Sequence, residues 1–172
     1  GPDASGTLWF DDLGSGLGHT RLSIMDLSEK GNQPMYDPGS KNWIVFNGEI
    51  YNYQDIRERL KGMGDSFVSD TDTEVLLKAF ARWGAGCLEY LNGMFAFAIF
   101  NEVSGKLFLA RDRQGIKPLY YYLTGDQIIF ASEIKAILYS DRYIHAPDMH
   151  ALYTPVHYQA SPYTGFKDIL KL

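Results

Sequence analysis

Apolar positions along this chain recur with two periods, and the change from one to the other marks out its elements. Trp43-Ile44-Val45-Phe46 is a short aromatic and β-branched run that predicts a buried strand, and Asn47-Gly48 directly after it predicts a turn. Ile56 and Leu60, four apart, give one apolar stripe to a helix from about 53 to 61, with Asn52 as its cap and Gly62 and Gly64 as stop signals. Thr71-Asp72-Thr73-Glu74 has the form of a capping box, and Val75, Leu76, Ala79, Phe80 and Trp83 recur at helical spacing behind it up to Gly84. Beyond that point the pattern changes to apolar runs. Residues 94–100 and 106–110 are apolar and aromatic and are joined by Asn101-Glu102-Val103-Ser104-Gly105, which is hairpin chemistry. A second such pair, 119–123 and 127–131, is joined at Thr124-Gly125-Asp126, and 132–138 predicts one short helix.

These are antiparallel strands beside helices, without βαβ units, so the pattern predicts an α+β layered domain with helices covering antiparallel sheets. Beyond Asp141 the pattern weakens around Pro147, Pro155 and Pro162. Residues 141–172 are therefore expected to be a linker, and 1–140 the domain.

Composition narrows the functional classes. An apolar share of 45% over 172 residues suffices for one sizeable core. Lys plus Arg number 16 against 21 Asp plus Glu, a formal charge of −5, which argues against a nucleic-acid partner. The one cysteine, Cys87, leaves no partner for a disulfide and no zinc cluster or redox pair. His19, His145, His150 and His157 have no metal-ligand spacing, so no metal is assigned. No apolar run approaches the roughly 18 residues of a membrane span, and residues 1–6 lack the features of a signal peptide. A soluble, cytoplasmic protein is the expectation.

Four segments then stand in one order: Gly18-His19-Thr20-Arg21-Leu22-Ser23-Ile24; Phe46-Asn47-Gly48-Glu49-Ile50-Tyr51-Asn52; Ser69-Asp70-Thr71-Asp72-Thr73-Glu74; and the stretch from Arg111-Asp112-Arg113 to Tyr120-Tyr121. Together they resemble the class II glutamine amidotransferase domain, and Leu91-Asn92-Gly93-Met94-Phe95-Ala96-Phe97-Ala98 points to the branch of the glutamine-hydrolysing asparagine synthetases. The resemblance implies the N-terminal-nucleophile hydrolase fold, a sandwich of two antiparallel sheets between helical layers. It also implies a nucleophilic cysteine in a Cys-Gly-Ile segment ahead of Gly1-Pro2-Asp3, and an ATP-dependent synthetase domain beyond Leu172. Neither is in this sequence, so ATP and Mg are expected only in that further domain, and the 172 residues as given are expected to be inactive.

Hydrolysing the side-chain amide of glutamine requires a nucleophile, a base, donors for the oxyanion and groups that hold the amino acid's charged end. The resemblance implies that the leading cysteine supplies the first two through its thiol and its α-amino group. Asn47 and Gly48 are the candidate oxyanion hole, the first through its side-chain amide and the second through its backbone N–H. Arg21 is the candidate clamp for the α-carboxylate, because a guanidinium can make two parallel hydrogen bonds to it. Glu49 and Asp72 are candidates for the α-ammonium, although Asp72 also fits a plain helix first-turn residue. Cys87 reads as packing, without an adjacent His. The expected partners are glutamine, a synthetase domain in the same chain and a second copy in a homodimer. The competing reading is a catalytically dead module that binds glutamine or a partner protein.

Overall fold

Side chains alternate between half-buried and exposed along β1 (Ala4–Phe10), and the chain turns through Asp11–Leu13 and Gly14, at φ +54°, into β2 (Ser15–Arg21). The two pair in antiparallel register from Ala4 opposite Arg21 to Phe10 opposite Ser15. This ribbon is not predicted from the sequence, because Gly6, Gly16 and Gly18 interrupt its apolar alternation. The computed structural model describes residues 4–21, 31–149, 151 and 162–172. They divide into two units, Gly1–Asp112 and Arg113–Leu172. The Gly1-Pro2-Asp3 start, the Leu22-Ser23-Ile24 end of the first motif, and His150, Pro155 and His157 lie outside the described residues.

The first unit continues with β3 (Met35–Asp37), β4 (Asn42–Ile50), α1 (Tyr53–Gly62), α2 (Asp72–Trp83), a 3₁₀ stretch Gly84–Tyr90, β5 (Gly93–Asn101) and β6 (Leu107–Arg111). The four strands form one antiparallel sheet in the order β3-β4-β5-β6. Ile44, Phe46 and Ile50 of β4 share a face with Phe95, Phe97 and Ile99 of β5, and pack in one core with Ile56 and Leu60 of α1 and Val75, Leu76 and Ala79 of α2. Removing each such large side chain from water contributes about 1.5–3 kcal/mol, which is why these two helices lie on this face. By strand alternation, Val45, Asn47 and Glu49 project from the other face.

Two expectations for this unit need correction. Asn47-Gly48 is not a turn: β4 runs on to Ile50, with Asn47 opposite Ala96, Gly48 opposite Phe95 and Glu49 opposite Met94. Glycine is required there by strand approach, since a Cβ on Gly48 would lie 2.2 Å from the Met94 carbonyl oxygen. Asn52 does precede α1, but its side chain does not cap it. Its amide instead donates to the Tyr90 carbonyl at 2.9 Å and accepts from the Asn92 N–H at 2.9 Å, which ties the helix entrance to the chain just before β5.

At α2 the Thr71 hydroxyl accepts from the Glu74 N–H at 3.2 Å, as the capping box predicts. The Glu74 carboxylate reaches further back than the box requires. It accepts from the Val68 N–H, and from the Ser69 N–H and hydroxyl at 2.7 and 2.6 Å, so the approach to the helix is fixed along with its first turn.

The second unit holds β7 (Tyr120–Leu123), β8 (Ile128–Ala131), α3 (Ile134–Leu138) and β9 (Ile169–Lys171), with strand order β8-β7-β9. Its core is Tyr122, Ile137, Tyr143 and Ile169. The expectation of a linker over 141–172 is therefore corrected for its described part: Tyr143 and Ile169 are core residues, and Ile169 pairs with Tyr122. The Thr164 hydroxyl fastens that strand by donating to the Ile169 carbonyl at 2.7 Å. The division after Asp112 likewise differs from a boundary at 140. Among the described residues no helix is long and apolar enough to cross a membrane.

Candidate functional site

His19 and Arg21 stand two apart on β2 and so share a side of the ribbon. Arg21 is buried, and its Nη1 donates to Asn32 Oδ1 at 3.2 Å. Gly31 allows the guanidinium to lie flat against the chain, because a Cβ there would come within 2.3 Å of Nη2. Arg21, Asn32 and Gln33 line a cavity of about 290 Å³ together with β1 and Trp43.

The edge of β4 turned away from β5 is built differently from an ordinary sheet edge. β3 pairs only with residues 42–44, and beyond Ile44 no further strand lies on that side among the described residues. Strand alternation sends the N–H and C=O groups of Phe46, Gly48 and Ile50 to this edge. Side chains bind the outer two. Phe46 donates its N–H to Gln33 Oε1 at 2.6 Å and accepts at its carbonyl from His19 Nε2 at 3.0 Å. Ile50 donates its N–H to Asp72 Oδ2 at 3.0 Å. For Gly48, between them, no side chain among the described residues accepts the N–H. A donor presented on a strand that is pinned on both sides can stabilise a developing negative oxygen without first reorganising.

Electrostatics at the site follow burial. Asp72, at the first turn of α2, has its carboxyl pushed above the ordinary range by desolvation, against the backbone N–H groups of Ile50 and Thr73 that favour its charge; the nearby Glu49 pushes it further up. His19 is held below its ordinary value, chiefly by desolvation. The carbonyl of Phe46 can only accept, so the proton of the neutral ring sits on Nε2, and Nδ1 is buried with no hydrogen-bond partner among the described residues.

Of the residues singled out from the sequence, Asn47 and Gly48 lie side by side in β4, and Asp72 binds the peptide two residues beyond Gly48. Arg21 joins the same network through the 31–33 segment, whose Gln33 binds Phe46. Glu49 projects with Asn47 from the face opposite Ile50. Asp112 binds the Phe95 peptide, accepting from its N–H at 3.2 Å and donating to its carbonyl at 2.7 Å, which prolongs the β5–β6 pairing. Cys87 is fully buried in the first unit's core and its thiol is pushed up to about 11, which leaves it almost without thiolate at neutral pH. His19, Asn32 and Gln33 escape the sequence reading as members of the site. For His19 the signal is its spacing of two from Arg21 on a strand; Asn32 and Gln33 carry none, because Asn32 acts through Arg21 of β2 and Gln33 through Phe46 of β4 and Thr73 of α2.

The family model that describes a glutamine amidotransferase domain matches residues 1–172. Asparagine synthetase [glutamine-hydrolyzing] 1 of Bacillus subtilis is 44% identical to the chain over 162 residues, which are 94% of this chain and 25% of that protein. Asparagine synthetase [glutamine-hydrolyzing] 3 of the same organism is 46% identical over 124 residues, 71% of this chain and 20% of that protein. The chain thus spans about a quarter or less of the length of these curated relatives. Among solved structures, a glutamine phosphoribosylpyrophosphate amidotransferase of B. subtilis aligns with a TM-score of 0.61 at 26% identity, covering 71% of this chain and 28% of that one.

Proposed function

From the premise that this chain belongs to the glutamine amidotransferase domain family, we propose that it binds glutamine against the open edge of β4 and serves the hydrolysis of its side-chain amide. The observation that carries this reading is the Gly48 N–H, held at an otherwise clamped strand edge between Phe46 and Ile50, next to the Asn47 amide. Those two groups stabilise the oxyanion formed when a nucleophile attacks the amide carbon. Arg21 takes the α-carboxylate, with its guanidinium steadied by Asn32. Asp72 and Glu49 take the α-ammonium, which requires both carboxylates to be charged.

The nucleophile and the base that activates it are the components these residues do not supply. In the family resemblance the nucleophile is the thiol of a leading cysteine, which adds to the amide carbon; ammonia then departs and water releases glutamate from the thioester. Cys87 cannot substitute, being buried and protonated. Ammonia would pass to an ATP-dependent synthetase domain in a longer cytoplasmic protein, with aspartate as the default acceptor. That the 172 residues bind glutamine without turning it over is the second reading, and the burial of Cys87 favours it for the chain by itself.

One experiment separates the two. The chain alone is expected to release no ammonia from L-glutamine, whereas the chain joined behind a segment beginning Cys-Gly-Ile is expected to release ammonia and glutamate in equal amounts, with Asn47→Ala reducing the rate about 100–1,000-fold, as loss of an oxyanion donor does. Turnover by the chain alone that disappears in Cys87→Ala would overturn the assignment of the nucleophile. Turnover by the joined protein that Asn47→Ala leaves unchanged would overturn the site.

A further inference from the structure

We propose that Gln33 is a positioning residue for the oxyanion donors: its side-chain amide binds the edge of β4 where no neighbour strand lies among the described residues, and sets the peptide from which Asn47 and Gly48 follow. This rests on the glutamine-site reading and names a part of it that neither the motifs nor the comparisons assign.

Gln33 is buried, and both ends of its amide are engaged. Oε1 accepts from the Phe46 N–H at 2.6 Å, and Nε2 points to the Thr73 hydroxyl oxygen at 3.4 Å. It therefore links two elements distant in sequence, the edge of β4 and the first turn of α2. Those elements carry the oxyanion donors and one candidate acceptor for the α-ammonium. Its own backbone is wedged under β1, since a Cβ on Gly6 would lie 2.2 Å from the Gln33 carbonyl oxygen. A buried amide wedged in this way has little freedom to relax, so the Val45–Phe46 peptide is held by Gln33 at its N–H, and the next peptide, Phe46–Asn47, by His19 at its carbonyl. Rotation of either plane would be transmitted along β4 to Gly48. An oxyanion donor displaced by an ångström loses much of its effect, because the stabilisation depends on donors already in place.

A role confined to folding predicts that loss of Gln33 weakens every ligand of the site equally. A positioning role predicts a split between ligands that use the oxyanion donors and ligands that do not. L-Glutamate places a charged oxygen on its δ-carbon, where those donors point, whereas L-norvaline keeps the α-carboxylate and α-ammonium on a five-carbon chain that ends in a methyl group. Both are titrated into the chain, into Gln33→Met, which keeps volume and loses both hydrogen bonds, and into Thr73→Val, which frees only the far end of the amide.

Gln33→Met is expected to weaken glutamate about tenfold or more, as loss of a buried donor's alignment does, while norvaline changes by less than about twofold. Thr73→Val is expected to show the same split at smaller size, and it decides the matter by itself if Gln33→Met does not fold. Equal weakening of both ligands, or no change in either, would overturn the proposal. Arg21→Met separates it from the reading beneath it. If Arg21→Met abolishes binding of both amino acids while the Gln33 and Thr73 variants show no split, only the role of Gln33 is lost. If the unaltered chain binds neither amino acid, or Arg21→Met leaves both affinities unchanged, the glutamine site is lost and the proposal with it.

Discussion

Asp72 carries two demands that conflict at the scale of the residue. Its buried carboxylate binds the Ile50 N–H, yet desolvation raises its pKa, so the folded state takes up a proton more readily than the unfolded chain. A group with a raised folded pKa contributes stability below its unfolded value of about 3.8 and loses it as pH rises through the folded value, so the charged carboxylate destabilises the fold at neutral pH. Asp72→Asn keeps an acceptor for Ile50 without the charge. It is expected to raise the thermal midpoint at pH 7 but not at pH 3.5, and to weaken glutamine binding about 10–100-fold, the usual size of a lost charge-assisted bond. Scanning calorimetry at the two pH values and a binding titration check both halves. His19 has the opposite sign. Its folded pKa is lowered, so its contribution is present above about 6.5 and falls away as pH drops through the folded value. His19→Gln, which retains a donor for the Phe46 carbonyl, is expected to flatten the loss of stability on acidification below pH 6.5, measured by urea unfolding at a series of pH values.

Among the elements, β4 is the one on which the site depends, and it holds two glycine contacts that leave no room for a side chain. Gly48 approaches the Met94 carbonyl oxygen and Gly93 the Glu49 carbonyl oxygen, each at 2.2 Å from the position a Cβ would take. Gly48→Ala is expected to destabilise the chain by about 1–3 kcal/mol, the usual cost of forcing an extra carbon into a packed site, seen as a lower urea midpoint at unchanged slope. The sequence shows this element and misreads its end. Apolar runs made β4, β5 and β6 legible, and the capping box with its periodic apolar residues made α2 legible. Asn-Gly has the chemistry of a turn, however, and only the register with Phe95 reveals that Gly48 is there for close approach. Arg21, Asn47, Gly48, Glu49 and Asp72 were legible as motif residues. The groups that hold them, His19, Asn32 and Gln33, were not, because each acts through a contact with a distant part of the chain: His19 and Gln33 with Phe46, and Asn32 with Arg21.

Across the whole molecule, the proposed function needs only the first unit for the residues named, since Arg21, Gln33, Asn47, Gly48, Glu49 and Asp72 all fall within Gly1–Asp112. The second unit has its own small core around Ile137 and Ile169, drawn partly from residues that read as a linker. The clamped edge of β4 is the proposed seat of glutamine, and a titration of the uniformly ¹⁵N-labelled chain with L-glutamine tests this most directly. The backbone amide of Gly48, the side-chain amide of Asn47 and the Nε–H of Arg21 are expected to shift together and saturate at one ligand concentration, and Arg21→Met is expected to abolish all three shifts. Saturable shifts elsewhere in the chain that leave Gly48, Asn47 and Arg21 unmoved would contradict it.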